Sequence, residues 1–194
     1  VGEATMAAAR ESLLEAAGAA LTARAWPAVR MVEVAAAAGV SRQTLYNEFG
    51  GKAGLGRALV RREADWYLAG VERALQAPAA TAERLAGVAE WTVRAARARP
   101  LVRALLTGAW TGGLPAPPGR AARPGVPALG PGDLVRAVRD RAAAALPAEP
   151  AHRCELVVRL ALSYVIAPGT PGEESAAADL LGLVSAPNRT AGAR

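Results

Sequence analysis

The stretch AAAAGVSRQTLYNEFGGKAGL, residues 35–55, decides the fold of this chain. Gly39 interrupts an alanine-rich run and can take the left-handed conformation that ends a helix. Ser41 follows as a good N-cap for a second short helix, and Gly50 and Gly51 interrupt that helix after Phe49. Two short helices, Met31–Ala38 and Ser41–Phe49, joined by a tight turn at Gly39 and Val40, have the plan of a helix-turn-helix. Leu45 and Phe49 lie four apart and face inward with Val40. Arg42, Gln43, Thr44, Tyr46 and Asn47 are then left pointing outward, carrying groups suited to base edges or phosphates. Solubility does not require uncharged donors crowded on so short a helix.

Phe49 is the only phenylalanine of the chain, and Lys52 the only lysine among its 23 basic residues. The arginine bias, with the Ala, Gly and Pro load, resembles a GC-rich coding habit, so the formal charge of +6 by itself only favours an anionic partner such as nucleic acid. The 194 residues suffice for one ordinary domain, or a small module joined to a larger one. Hydrophobic residues make up 52% and aromatics 4%, which predicts a core of small aliphatic side chains in closely packed helices. A single cysteine, Cys154, excludes an intramolecular disulfide and argues against a cysteine-based metal cluster. The stretch VGEATMAAARESLLEAA lacks the basic start of a signal peptide, and LVVRLALSYVIAP from Leu156 is too short to span a bilayer, so a soluble cytoplasmic protein is expected.

Periodicity outside the opening stretch is helical throughout. Leu13, Leu14, Ala17, Ala20 and Leu21 mark one buried face of a helix from Ala4 to about Arg24, which Pro27 closes. A long helix runs from Lys52 to about Gln76, and Pro78 breaks it. Thr81 caps a helix to Arg99, and Pro100 starts another through about Trp110. Residues 111–132 are too rich in Pro and Gly for regular structure. Asp133 caps a helix to about Leu146, and two more are expected over Ala151–Ala167 and Glu173–Ala186. The fold class expected is therefore all-α, with about nine helices.

Residues 35–55 resemble the DNA-binding segment of the tetracycline-repressor (TetR) family, whose pattern is roughly A-x-x-A-G-V-S-x-x-T-L-Y-x-x-F-x-x-K-x-x-L. Ala35, Ala38, Gly39, Val40, Ser41, Thr44, Leu45, Tyr46, Phe49, Lys52 and Leu55 all match. Upstream, Arg10, Leu13, Leu14, Ala16, Ala17 and Leu21 follow the family's first helix, so the resemblance extends over about the first 65 residues. It implies that Gln43, Thr44 and Arg42 lie against base edges and that Tyr46 and Lys52 contact phosphates; Ser41 and Asn47 complete the set on the second helix. Two positions depart from the pattern: Ala25 stands before Trp26 where the family has Gly, and Arg30 replaces a capping Thr or Ser. Arg30 either supplies a phosphate contact of its own or leaves the second helix starting less firmly. Trp26 is read as a core residue bracing the first three helices.

The organisation that follows is a helix-turn-helix DNA-binding domain over 1–51, a connecting helix over 52–78, a ligand-binding and dimerisation domain over 79–186, and a tail over 187–194. No catalytic constellation is visible in the second half. His152 and Cys154 lie two apart on a helix, on nearly opposite sides, and Glu173 with Glu174 suits the first turn of the last helix. Neither a metal nor a cofactor is called for, and the chain does not read as an enzyme. The resemblance implies a small-molecule pocket, for which Trp91, Arg94, Leu105, Trp110, Val138 and Tyr164 are candidates; the same aromatics equally serve as core filler. Leu156, Leu160 and Tyr164, with Leu180, Leu181 and Val184, would form a dimer interface, because a helix apolar all round needs cover all round.

The function expected is a homodimeric transcriptional regulator, a repressor released from a near-palindromic double-stranded DNA operator by a small-molecule effector, with no membrane partner. A ligand-independent DNA-packaging or scaffold protein using the same helix-turn-helix is the competing reading.

Overall fold

The structure, a computed structural model, describes residues 2–115, 129–149 and 151–167. In chain order these form α1 (Gly2–Ala23), a 3-10 turn (Trp26–Ala28), α2 (Met31–Ala37), α3 (Arg42–Phe49), α4 (Lys52–Leu75), α5 (Thr81–Ala98), α6 (Pro100–Thr107), α7 (Pro131–Ala145) and α8 (Ala151–Ile166). The fold class is all-α, and no strand occurs among the described residues. The helix expected over Glu173–Ala186, with Leu180, Leu181 and Val184, lies outside the described residues, as does most of the Pro- and Gly-rich stretch.

Three helix ends differ from the expectation, each for a local reason. α6 stops at Thr107, short of Trp110, because Gly108 takes φ +74° and its N–H closes on the Ala104 carbonyl at 2.8 Å. Thr81 is the first residue of α5 rather than its cap. The cap position is Ala80, whose N–H is accepted by the Glu83 carboxylate at 3.2 Å, so the acid reaching back replaces the hydroxyl. α7 begins at Pro131, since a proline is tolerated at the start of a helix, and Asp133 sits in its first turn against Arg136.

The chain divides into two compact units, residues 1–66 with 100–130 and residues 67–99 with 131–194, the division falling inside α4. In the first unit α1, α2 and α3 pack mutually. Leu13, Leu14 and Ala17 of α1, Val34 and Ala35 of α2, and Leu45 and Phe49 of α3 are buried, as the three- and four-residue spacings require. Each fully buried leucine contributes about 1.5–3 kcal/mol. Trp26 is buried too, its N–H donating to the Gly113 carbonyl at 2.8 Å. Gly56 of α4 leaves room for the indole, since a Cβ there would stand 3.2 Å from Trp26 Cζ2.

In the second unit α5 and α7 both pack on α8. Leu85, Val88 and Ala89 of α5, Leu134 and Val138 of α7, and Val157, Val158 and Ala161 of α8 are buried. Tyr67 is wholly buried with its hydroxyl 2.9 Å from Thr92 Oγ1. Thr92 has one hydroxyl proton, which goes to the Val88 carbonyl at 2.8 Å, so Tyr67 donates and Thr92 accepts.

Burial pushes the Tyr67 phenol up to about 12. The unfolded chain therefore releases this proton first. The contribution to stability is intact below about pH 10 and is lost as the pH climbs toward the folded value. Tyr67→Phe is expected to lower stability by about 1 kcal/mol at neutral pH and to flatten the alkaline decline. Denaturant titrations at neutral pH and across the alkaline range check this; equal alkaline slopes in the two proteins would refute a buried phenol.

Candidate nucleic-acid interface

α3 begins at Ser41, whose extended backbone (φ −71°, ψ 151°) turns its hydroxyl onto the first turn. Ser41 Oγ accepts from the Thr44 N–H at 3.0 Å and lies 2.8 Å from Thr44 Oγ1. A cap of this kind stabilises a helix by about 1 kcal/mol, a large share for eight residues. At the far end Gly50 takes φ +69° and donates to the Tyr46 carbonyl at 2.8 Å. Leu45 and Phe49 are buried, while Arg42, Gln43, Tyr46 and Asn47 are exposed and Thr44 is half-buried. The exposed face thus carries a guanidinium, two amides and a phenol. Gln43 Nε2 donates to Asn47 Oδ1 at 2.7 Å.

The one acidic group on α3, Glu48, is neutralised by Arg10 of α1, which forms an ion pair with it and stacks over the Phe49 ring with 5.0 Å to its centre. Exposed ion pairs add little to stability, but this one cancels a carboxylate that would repel phosphates. The periodicity of α1 marks its buried stripe and is silent on Arg10, because nothing local links residues 38 positions apart.

Lys52 opens α4. Its Nζ donates to the Pro27 carbonyl at 2.9 Å and stands 5.6 Å from the centre of the Trp26 ring. One of three ammonium donors is thereby committed, and the charge is held at a fixed place beside the start of a helix. Arg30 occupies the N-cap of α2 with no capping hydrogen bond from its side chain, which is exposed. Arg24 and Glu33 pair across α1 and α2 at 2.7 Å.

The candidates for a ligand pocket fall in both units. Trp91 and Arg94 meet, the guanidinium carbon 5.5 Å from the ring centre, while Arg73 stands 5.7 Å from the same ring. Val138 is buried, and Tyr164 is half-buried on α8. Leu105 and Trp110 belong to the first unit. A groove of about 590 Å³ lies between α1 and α2, lined by Ala16, Ala20, Glu15, Arg24 and Glu33 among others, and includes none of these candidates. On α8, Cys154 is buried and His152 exposed; burial pushes the Cys154 thiol up and keeps it protonated. Among the described residues no three His, Cys, Asp or Glu side chains gather to hold a metal, and no helix is long and apolar enough to cross a membrane.

Residues 13–59, which contain the buried stripe of α1 and all of α2 and α3, match the bacterial regulatory proteins of the tetR family. The HTH-type transcriptional regulator AlkX of Mycobacterium tuberculosis is 41% identical over 108 residues, which are 55% of this chain and 51% of that protein. The chain thus spans about half the length of that relative. Among solved structures, the TetR family repressor AlkX from Dietzia sp. strain DQ12-45-1b, implicated in biodegradation of n-alkanes, superposes with a TM-score of 0.50 at 23% identity, covering 91% of each chain. A tetR-family transcriptional regulator from Streptomyces coelicolor gives 0.54 at 23% identity, covering 91% of this chain and 77% of that one. At such identity these two likenesses concern the fold.

Proposed function

We propose, from the match of residues 13–59 to the bacterial regulatory proteins of the tetR family, that this chain is a cytoplasmic, sequence-specific regulator of transcription. It acts as a homodimer whose two α3 helices enter successive major grooves of a near-palindromic operator. The observation that carries this is the make-up of α3, capped at both ends and buried on one side, with Arg42, Gln43, Tyr46 and Asn47 together on the other. Arg42, Gln43 and Thr44 face base edges, and Arg30, Ser41, Tyr46, Asn47 and Lys52 contribute backbone and flanking contacts.

Dimerisation uses α8. Leu156 and Leu160, one turn apart, are 53% and 38% exposed although Val157, Val158 and Ala161 of the same helix are buried. A helix apolar on two sides is covered on both when a second copy supplies the missing face. The output is repression, relieved when a small molecule binds more tightly to a dimer whose α3 helices are wrongly spaced for DNA. Residues 79–186 hold that effector site and the interface, with Trp91, Arg94, Val138 and Tyr164 as candidates. Enzymatic turnover plays no part.

Selection of bound duplexes from a randomised pool at near-physiological salt tests the proposal. A two-fold symmetric motif is expected; DNA with no shared motif would favour a packaging role instead. Two variants sort the contacts. Lys52→Ala is expected to weaken binding to all sequences and to reduce the slope of log affinity against log salt by about 1 for each protomer, hence about 2 for the dimer. Tyr46→Ala should weaken binding uniformly with the slope intact, since it removes no charge. An unchanged slope in Lys52→Ala would remove Lys52 from the phosphate contacts.

A further inference from the structure

Gln43 and Asn47 lie one turn apart on the exposed face of α3, and the hydrogen bond between them has a direction. Gln43 Nε2 is the donor and Asn47 Oδ1 the acceptor, at 2.7 Å. An amide nitrogen carries two hydrogens, so one remains on Gln43, beside the unspent Oε1 acceptor. A glutamine unconstrained in solution turns its amide over and offers a base either an acceptor with one donor or two donors. Tied to Asn47, it offers the acceptor and a single donor.

The two purines ask for different things in the major groove. Adenine presents an N7 acceptor and an N6 donor; guanine presents two acceptors, N7 and O6. An acceptor with one donor satisfies adenine on both atoms. Against guanine it leaves the Gln43 carbonyl facing O6, two acceptors in contact with nothing between them, and the second N–H that would be needed is already given to Asn47.

We propose that Asn47 is a positioning residue that fixes the amide of Gln43, and that the pair thereby reads adenine and rejects guanine at one position of each operator half-site. This rests on the reading of α3 as the element that enters the major groove. Asn47 keeps both of its own N–H donors, which serve an adjacent acceptor on base or phosphate.

The test is selection from randomised duplexes with the 194-residue chain, followed by competition between duplexes that differ only in A or G at the position Gln43 controls. Gln43→Ala identifies that position by abolishing its preference. The unaltered protein is expected to favour adenine there by about tenfold or more. Asn47→Ala should bring the ratio close to one, with little further change when combined with Gln43→Ala. Asn47→Asp retains an acceptor for Nε2 and should keep the adenine preference while lowering overall affinity, since a carboxylate repels phosphates. All these side chains are exposed, so folding is not at stake.

A symmetric motif with guanine or a pyrimidine at the Gln43 position, or an adenine preference that survives Asn47→Ala, overturns the coupled reading and leaves the regulator assignment standing. No symmetric motif from the unaltered protein overturns that assignment, and this inference with it.

Discussion

Gly54→Ala is expected to destabilise the first unit by about 3 kcal/mol, the upper end for overpacking, and, on the proposed reading of α3, to cut DNA affinity at least tenfold. A Cβ on Gly54 would stand 1.7 Å from the Phe49 carbonyl oxygen and 2.9 Å from its carbonyl carbon, closer than non-bonded atoms approach. The obstruction is backbone, so no side-chain rotation relieves it, and the last turn of α3 must move away from the first turn of α4. Phe49 is also the buried anchor of α3, and displacing it moves every exposed side chain of that helix. Contacts of the kind proposed for Gln43 tolerate shifts of only about 0.5 Å. Thermal unfolding should show a midpoint lower by about 6–12 °C. Gly51→Ala, a few residues away, is the control. A Cβ there meets nothing within 4 Å, and its φ of +140° brings strain confined to the linker. Equal stability of Gly54→Ala and the unaltered protein would refute the close helix junction.

Gly70→Ala is the second large effect, and it belongs to the other unit. Its Cβ would fall 2.0 Å from Trp91 Cε2, 2.2 Å from Cζ2 and 2.3 Å from Nε1. The indole cannot swing aside cheaply, because Nε1 donates to the Tyr67 carbonyl at 2.9 Å and the guanidiniums of Arg73 and Arg94 stand within 6 Å of the ring centre. The ring must leave its seat on α4, giving up that hydrogen bond and its packing, at about 3 kcal/mol. Trp91→Leu costs stability in the unaltered background but should restore part of it in Gly70→Ala. This non-additivity is read from denaturation midpoints of the four proteins. Strict additivity would mean that Gly70 and Trp91 do not share a contact.

How much of this was legible beforehand depends on the range of the interaction concerned. Gly39 (φ +67°), the Ser41 cap and Gly50 (φ +69°) act across four residues or fewer, and α3 accordingly begins and ends where sequence predicts. The helix expected through Trp110 ends at Thr107 instead, because Gly108 takes a positive φ that the apolar residues after it do not signal. The inward stripe of α1 was legible from spacing, because period 3.6 is a property of one helix. The pairing of Arg10 with Glu48, the seat of Lys52 on Pro27 and Trp26, and the tie from Gly113 to Trp26 carried no such mark. The last of these brings residues from beyond α6 into the first unit, which an ordering along the chain does not suggest.

The sequence by itself determined the all-helical class, the cap and the end of α3, the turn between α2 and α3, and which side chains of α3 face outward, because each of these follows from dihedral preference, capping and amphipathic spacing within a few residues. Only the tertiary structure decided that Arg10 silences Glu48, that Gly54 and Gly70 are glycines because a carbonyl and an indole occupy the space a methyl group would need, and that Trp26 closes on Gly113. These depend on where separate helices cross, and that is set by the packing of whole faces, which no short window of sequence contains.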